Sequence, residues 1–82
     1  MHVVTLYAKA GCHLCDEVRA YLEDALANLS QELDLRETDI RADPAIFERY
    51  RYRIPVITVD GVERLEGRIS DDAVRELLRS LP

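Results

Sequence analysis

Two cysteines three residues apart, in Cys12-His13-Leu14-Cys15, carry the strongest chemical signal in the chain. On a helix, positions i and i+3 share a face with Cβ atoms about 5–6 Å apart, so a modest adjustment of the first turn brings the sulfurs within bonding reach. Closing so short a loop removes little entropy from the unfolded chain, which makes the pair a poor structural staple and a better reversible dithiol. The thiolate is the form that attacks a disulfide, and a helix N-terminus favours it by presenting unpaired N–H groups and a positive dipole end. Cys12 is therefore the expected nucleophile. Cys15, expected to be the less exposed, is the thiol that resolves the mixed disulfide.

The neighbours tune that chemistry in opposite directions. As an imidazolium, His13 would stabilise a Cys12 thiolate, whereas a ring pointing into solvent would do nothing. Asp16 and Glu17 disfavour a thiolate, yet they also suit the first turn of a helix, where acids complement the dipole. His13 is read as a modulating residue rather than a general base, because a thiolate needs no base to attack.

The elements that must hold the dithiol are legible around it. Val3 to Ala8 is mostly apolar and β-branched, as in a strand buried on both faces at the centre of a sheet. Leu14, Val18, Leu22, Ala25 and Leu29 recur at helical intervals and predict a helix from about Cys12 to Asn28. Leu33 to Ile40 alternates in part, as an edge strand with one solvated face does. Asp43 before Pro44 offers an N-cap and a first helical residue for a short helix carrying Ile46, Phe47 and Tyr50. Pro55 to Val59, Asp60-Gly61 and Val62 to Leu65 read as a hairpin, since Asp-Gly suits the two positive-φ positions of a type I′ turn. Ser70, Asp71 and Asp72 open a final helix with Val74, Leu77, Leu78 and Leu81 on one face. The order β-α-β-α-β-β-α predicts an α/β fold: a mixed four-stranded sheet, its first two strands parallel through a right-handed crossover, with helices on both faces.

Composition narrows the field further. With 82 residues, 48% hydrophobic and 33% charged, the chain is expected to form a single domain, 1–82, around one modest core. The formal charge is −5 and the basic residues are interspersed with acids, so no stripe of the kind that binds a phosphate backbone is present and nucleic acid is not an expected partner. No apolar run approaches the ~20 residues that span a bilayer, and the N-terminus lacks the apolar segment of a secretory signal. A cytoplasmic monomer with no membrane association is the expectation.

Three local features carry a resemblance that covers nearly the whole chain. They are Tyr7-Ala8-Lys9-Ala10-Gly11-Cys12-His13-Leu14-Cys15 at the strand-to-helix turn, Arg53-Ile54-Pro55-Val56 before the third strand, and Leu65-Glu66-Gly67 before the last helix. With the element order, they make the chain similar to the glutaredoxins of the thioredoxin-like superfamily, and most of all to the small, divergent bacterial members. The resemblance implies a thiol-disulfide oxidoreductase that reduces protein disulfides or glutathione mixed disulfides through Cys12 and Cys15. It implies no bound cofactor, glutathione as a co-substrate, and glutathione or a flavoprotein disulfide reductase as the electron donor. It also implies a cis Ile54–Pro55 bond, with the Ile54 backbone pairing to substrate, and a glutathione carboxylate at Lys9. Gly67 and Asp71 stand where glutaredoxins have Gly-Gly followed closely by an acid, but Glu66-Gly67-Arg68-Ile69-Ser70-Asp71 keeps one glycine and lengthens the spacing. Glu66 would then repel a carboxylate, and Asp71 also reads as a first-turn acid of the last helix.

Other readings of the same residues stand beside this one. Arg49, Arg51 and Arg53 are read as a solvated helix end complementing its dipole, with a flank of the active-site groove as the alternative. Tyr50 and Tyr52 are read as core and rim packing. A metal-binding module would take Cys12 and Cys15 as ligands with His13 or His2, but a structural zinc site needs four protein ligands, and adjacent Cys12 and His13 fit poorly into one tetrahedron with Cys15. A noncatalytic interaction domain would have no use for an intact dithiol.

Overall fold

The computed structural model describes residues 1–82, folded as β1 (His2–Ala8), α1 (His13–Ala27), β2 (Leu33–Asp39), a 3₁₀ turn (Ile40–Ala42), α2 (Pro44–Tyr50), β3 (Val56–Val59), β4 (Val62–Glu66) and α3 (Asp71–Arg79). The four strands form one sheet in the order β2-β1-β3-β4. β1 pairs in parallel with β2, Val4 opposite Leu35, and antiparallel with β3, Leu6 opposite Ile57. β3 continues antiparallel into β4. The predicted element order and the mixed sheet are both present, with β2 on an edge as its partial alternation suggested.

Local chemistry starts and stops each helix. The Asp43 carboxylate accepts the N–H groups of Ala45 at 2.8 Å and Ile46 at 3.3 Å, and Pro44, which has no N–H to leave unpaired, occupies the first turn of α2. The Ser70 hydroxyl accepts the Ala73 N–H at 3.0 Å to open α3. At the end of α1 the Asn28 N–H donates to the Ala25 carbonyl and the Leu29 N–H to the Leu26 carbonyl, both at 3.2 Å, satisfying carbonyls that have no partner within the helix.

The sheet separates two apolar clusters. On one face, Val4, Leu6, Ala8, Ile57 and Val59 pack with buried residues of α1 (Cys15, Val18, Leu22, Ala25) and of α3 (Val74, Leu77, Leu78). On the other, Ile40, Tyr50 and Val56 form a smaller cluster, joined by Tyr7, Ile46, Phe47 and Ile54. Helices thus cover both faces. The expectation that β1 is buried on both faces is corrected: Val3, Thr5 and Tyr7 are only half-buried, while all four residues of β3 are buried. The short α2 covers the β3 side of its face better than the β1 side, and sequence pattern does not reveal which strand a helix overlies.

The hairpin turn has Asp60 at φ 51° and Gly61 at φ 83°, the two left-handed positions that Asp-Gly was expected to supply. An irregularity follows in β4: Thr58 faces Glu63 but Ile57 faces Leu65, so Arg64 is an extra residue that bends the strand. Asp60 also ties the turn to the start of β1, accepting the Val3 N–H at 2.8 Å and meeting His2 Nδ1 at 2.6 Å. His2 Nε2 lies 3.0 Å from the Pro82 carbonyl. These contacts raise the His2 pKa, chiefly through the Asp60 hydrogen bond, and lower that of Asp60, chiefly through the Val3 N–H. No helix is long and apolar enough to cross a membrane.

Candidate active site

β1 delivers the chain to the dithiol. Lys9, Ala10 and Gly11, the last at φ 80°, turn it from the sheet into α1, and Cys12 is the N-cap. Its Sγ accepts the backbone N–H of Cys15 at 3.1 Å, and its carbonyl accepts the N–H of Asp16 at 3.1 Å. The sulfur therefore occupies the place where a helix offers an unpaired donor, and the same N–H would be available to a thiolate. Cys12 and Cys15 are joined as a disulfide with their Cα atoms 5.2 Å apart. Cys12 is half-buried at the rim, whereas Cys15 is 0% exposed in the larger core. The difference in access expected of an attacking and a resolving thiol is present.

Of the two acids after the dithiol, Asp16 is engaged elsewhere. Asp16 meets Arg19 at 2.8 Å, and Arg19 also grips Glu37 of β2 through two nitrogens at 2.7 and 2.8 Å, fastening α1 to the sheet edge. His13 projects with 89% of its side chain exposed, its Nε2 4.0 Å from Glu17. That placement agrees with the solvent-pointing alternative.

Beyond the dithiol, the strand ends complete the site. Tyr7 pairs with Val56, and Val56 with Glu66, so Ala8, Pro55 and Gly67 come level at one end of the sheet. The Ile54–Pro55 bond is cis. The Ile54 N–H donates to the Tyr50 carbonyl at 3.1 Å, leaving its own carbonyl as the backbone group free for a ligand. Gly67, at φ 74°, donates its N–H to the carbonyls of Pro55 at 2.8 Å and Arg53 at 3.2 Å, a double contact that a side chain at this left-handed position would strain. Asp71 is paired within α3: its carboxylate accepts from Arg75 Nε at 3.0 Å.

The turn leading to Ile54 is held by an acid that sequence reading passed over. Glu63 of β4 accepts from Arg53, from Arg49 at 2.9 Å and from the Tyr50 hydroxyl at 3.0 Å, and these hydrogen bonds, Arg53 first, lower its pKa to about 2. Arg53 also meets Glu66 at 2.7 Å, so Glu66 is partnered by a cation and the expected repulsion of an anion is offset. The arginines are thus neither a merely solvated helix end nor a free flank: Arg49 straps α2, and Arg53 the turn after it, to β4, and Arg51 pairs with Glu48 at 3.2 Å. Tyr50 packs in the core with its ring centroid 4.6 Å from that of Tyr7, but Tyr52, expected at a packed rim, is 86% exposed. A turn places it on the outside, with the Arg51 guanidinium 4.7 Å from its ring centroid.

A metal site is not assembled from these residues. No group of three or more His, Cys, Asp or Glu side chains converges. His2 begins the seven-residue β1 and the dithiol follows its far end, a separation of about 20 Å at the rise of a strand.

With the dithiol, the cis proline and the sheet order in place, comparison with known proteins is decisive: residues 3–79 match the glutaredoxin-like domain family (DUF836). The chain belongs to that family. A solved structure of the structural-genomics target protein XcR50 from X. campestris is 30% identical, with a TM-score of 0.74 over 96% of this chain and 99% of that one. A mutant thioredoxin from Halobacterium salinarum NRC-1 is 20% identical, with a TM-score of 0.69 over 96% of this chain and 73% of that one, and shows the shared fold alone. This glutaredoxin-like protein therefore has a thioredoxin-like fold with a cysteine pair at disulfide distance, an arrangement suited to redox function.

Proposed function

We propose that this glutaredoxin-like protein is a thiol-disulfide oxidoreductase acting through its own dithiol. The single observation that carries the reading is the asymmetry of the pair, with Cys12 accessible at a helix N-cap and Cys15 enclosed behind it. In the reduced protein, thiolate Cys12 attacks one sulfur of a substrate disulfide, breaking that bond and releasing one half as a thiolate that takes up a proton. Cys15 then attacks the Cys12 sulfur, giving its own proton to the second leaving thiol. Two electrons pass to the substrate, with one proton from Cys15 and one from solvent, and the protein is left as the Cys12–Cys15 disulfide.

In this reading the Ile54 carbonyl beside Pro55 accepts one N–H from an extended substrate, a reading supported by its having no partner of its own, and Lys9 and Gly67 border the same strand ends. Asp71 is a first-turn acid of α3 in this scheme rather than a substrate ligand. Exposed His13 tunes the dithiol at most weakly. Substrates are protein disulfides or glutathione mixed disulfides, with glutathione or a flavoprotein reductase returning the electrons, and the chain works as a single-domain cytoplasmic monomer. To test this, the purified protein is equilibrated across glutathione to glutathione-disulfide ratios, quenched by alkylation and weighed. A reversible loss of two protons supports the reading, and an added glutathione on Cys12 favours the glutathione-linked donor. No change at any ratio refutes it.

A further inference from the structure

Three large apolar side chains stand exposed: Met1 at 82%, Val62 at 61% and Tyr52 at 86%. Met1 precedes β1 and Val62 opens β4, and the pairs Val4–Val59 and Val59–Val62 put both at the end of the sheet remote from the dithiol. Tyr52 is at the other end. The turn that carries it wraps the Tyr50 carbonyl, which accepts the N–H groups of Arg53 at 2.8 Å and Ile54 at 3.1 Å, so the backbone beneath the ring is fixed. Tyr52 lies two residues before Ile54, no more than about 7 Å along the chain. Ile54 and Cys12 in turn both pack against the larger core cluster.

The ring is held as well as the backbone. The Arg51 guanidinium is 4.7 Å from the Tyr52 ring centroid and 4.9 Å from that of Phe47, and its charge is met by Glu48 at 3.2 Å. An aromatic side chain ordered before binding loses little entropy when a partner covers it. The neighbouring cations are balanced too, Arg49 by Glu63 and Arg53 by Glu63 and Glu66, so the attraction the ring offers is apolar. The larger recesses of the surface lie elsewhere: between α1 and β2, between the ends of α1 and α3, between β4 and α3, and beside Met1. Next to the dithiol the surface is a ledge rather than a cavity, which suits a chain laid across it better than a small molecule enclosed by walls.

We propose that Tyr52 extends the dithiol site into a docking ledge for polypeptide disulfides, seating an apolar side chain that lies beside the substrate cysteine. It is the specificity-determining residue for that class. The proposal rests on the dithiol reading above and narrows its substrates. The ledge is continuous with Ile54, so a chain that pairs with the Ile54 carbonyl and presents its disulfide to Cys12 passes within reach of the ring.

The test uses the reduced protein alone and needs no electron donor. Two peptide disulfides, identical but for Leu or Ser beside each cysteine, and bis(2-hydroxyethyl) disulfide are each mixed with it, and its oxidation is followed by alkylation quench and mass spectrometry. Tyr52→Ala is expected to lower the ratio of the Leu-peptide to the Ser-peptide rate about fivefold, the scale of one partly buried apolar contact, while Tyr52→Phe and Val62→Ala keep the wild-type ratio. Because both rates are taken on the same variant, a changed Cys12 thiolate or a smaller folded fraction cancels from the ratio. A ratio unmoved in Tyr52→Ala, or lowered equally in Val62→Ala or Tyr52→Phe, would overturn the ledge. So would a wild type oxidised by the small disulfide but by neither peptide. Failure of all three disulfides to oxidise the wild-type dithiol would instead sink the redox reading itself.

Discussion

Replacing Cys15 by alanine separates the two steps of the proposed exchange. Cys12 keeps its exposure and its place at the helix N-cap, so attack on a disulfide should proceed, but no second thiol stands behind it to complete the reaction. In the intact protein the two Cα atoms are 5.2 Å apart and the sulfurs are already bonded, so resolution is intramolecular between groups held in place. Well-oriented reactions of that kind reach effective molarities of about 10⁵ M; even a value a thousandfold lower, about 10² M, outpaces 1 mM external thiol by about 10⁵-fold. The expected result is therefore a mixed disulfide on Cys12 that persists until thiol is added and then decays in proportion to its concentration. The cost to folding should be modest, because alanine loses only the sulfur from the core site, on the order of 1 kcal/mol of burial. Stoichiometric disulfide added to reduced Cys15→Ala protein, followed by acid quench and mass measurement over time, reads the lifetime directly. Release of both substrate halves at the wild-type rate, without added thiol, would refute Cys15 as the resolving group.

Three further outcomes follow from the same geometry. His13→Ala should move the dithiol midpoint in a glutathione redox titration by less than about 20 mV, since a side chain 89% exposed and 4.0 Å from its nearest acid influences the thiolate mainly through solvent. The His2 contact should stabilise the fold most below pH 6.5, the ordinary histidine value, and fade as pH rises through the elevated folded-state pKa, while the Asp60 share fades as acid takes its lowered pKa; melting temperatures of wild type and His2→Ala should thus differ most near pH 5.5 and converge toward pH 8.5. Glu63→Gln should loosen the turn before Ile54: hydrogen exchange of the Arg53 and Ile54 amides, both bonded to the Tyr50 carbonyl, is expected to accelerate, and the wild type should show the same loosening as pH falls from 4.5 toward 2, where Glu63 takes a proton.

The parts of this protein that depend on local chemistry were legible in its sequence. A strand, a helix opened by the first cysteine, a capped Asp43-Pro44 helix, an Asp60-Gly61 hairpin and a Ser70-capped helix all follow from propensity and periodicity within a few residues, and so does a dithiol whose members are three positions apart. The cis bond before Pro55 was expected from family resemblance alone, because an X–Pro pair by itself says little about its isomer.

Pairings between distant residues became visible only when the strands were registered. Glu63 had no signal of its own until the bulge at Arg64 and the β3–β4 pairing set it against Arg49, Arg53 and Tyr50. The same register balanced Glu66 with Arg53, while the turn after α2 left Tyr52 outside the core. Caps and turns are short-range and are satisfied by the next few residues. Ion pairing and burial depend on which strand lies beside which, and a single residue's shift in β4 would have given every one of these side chains a different neighbour.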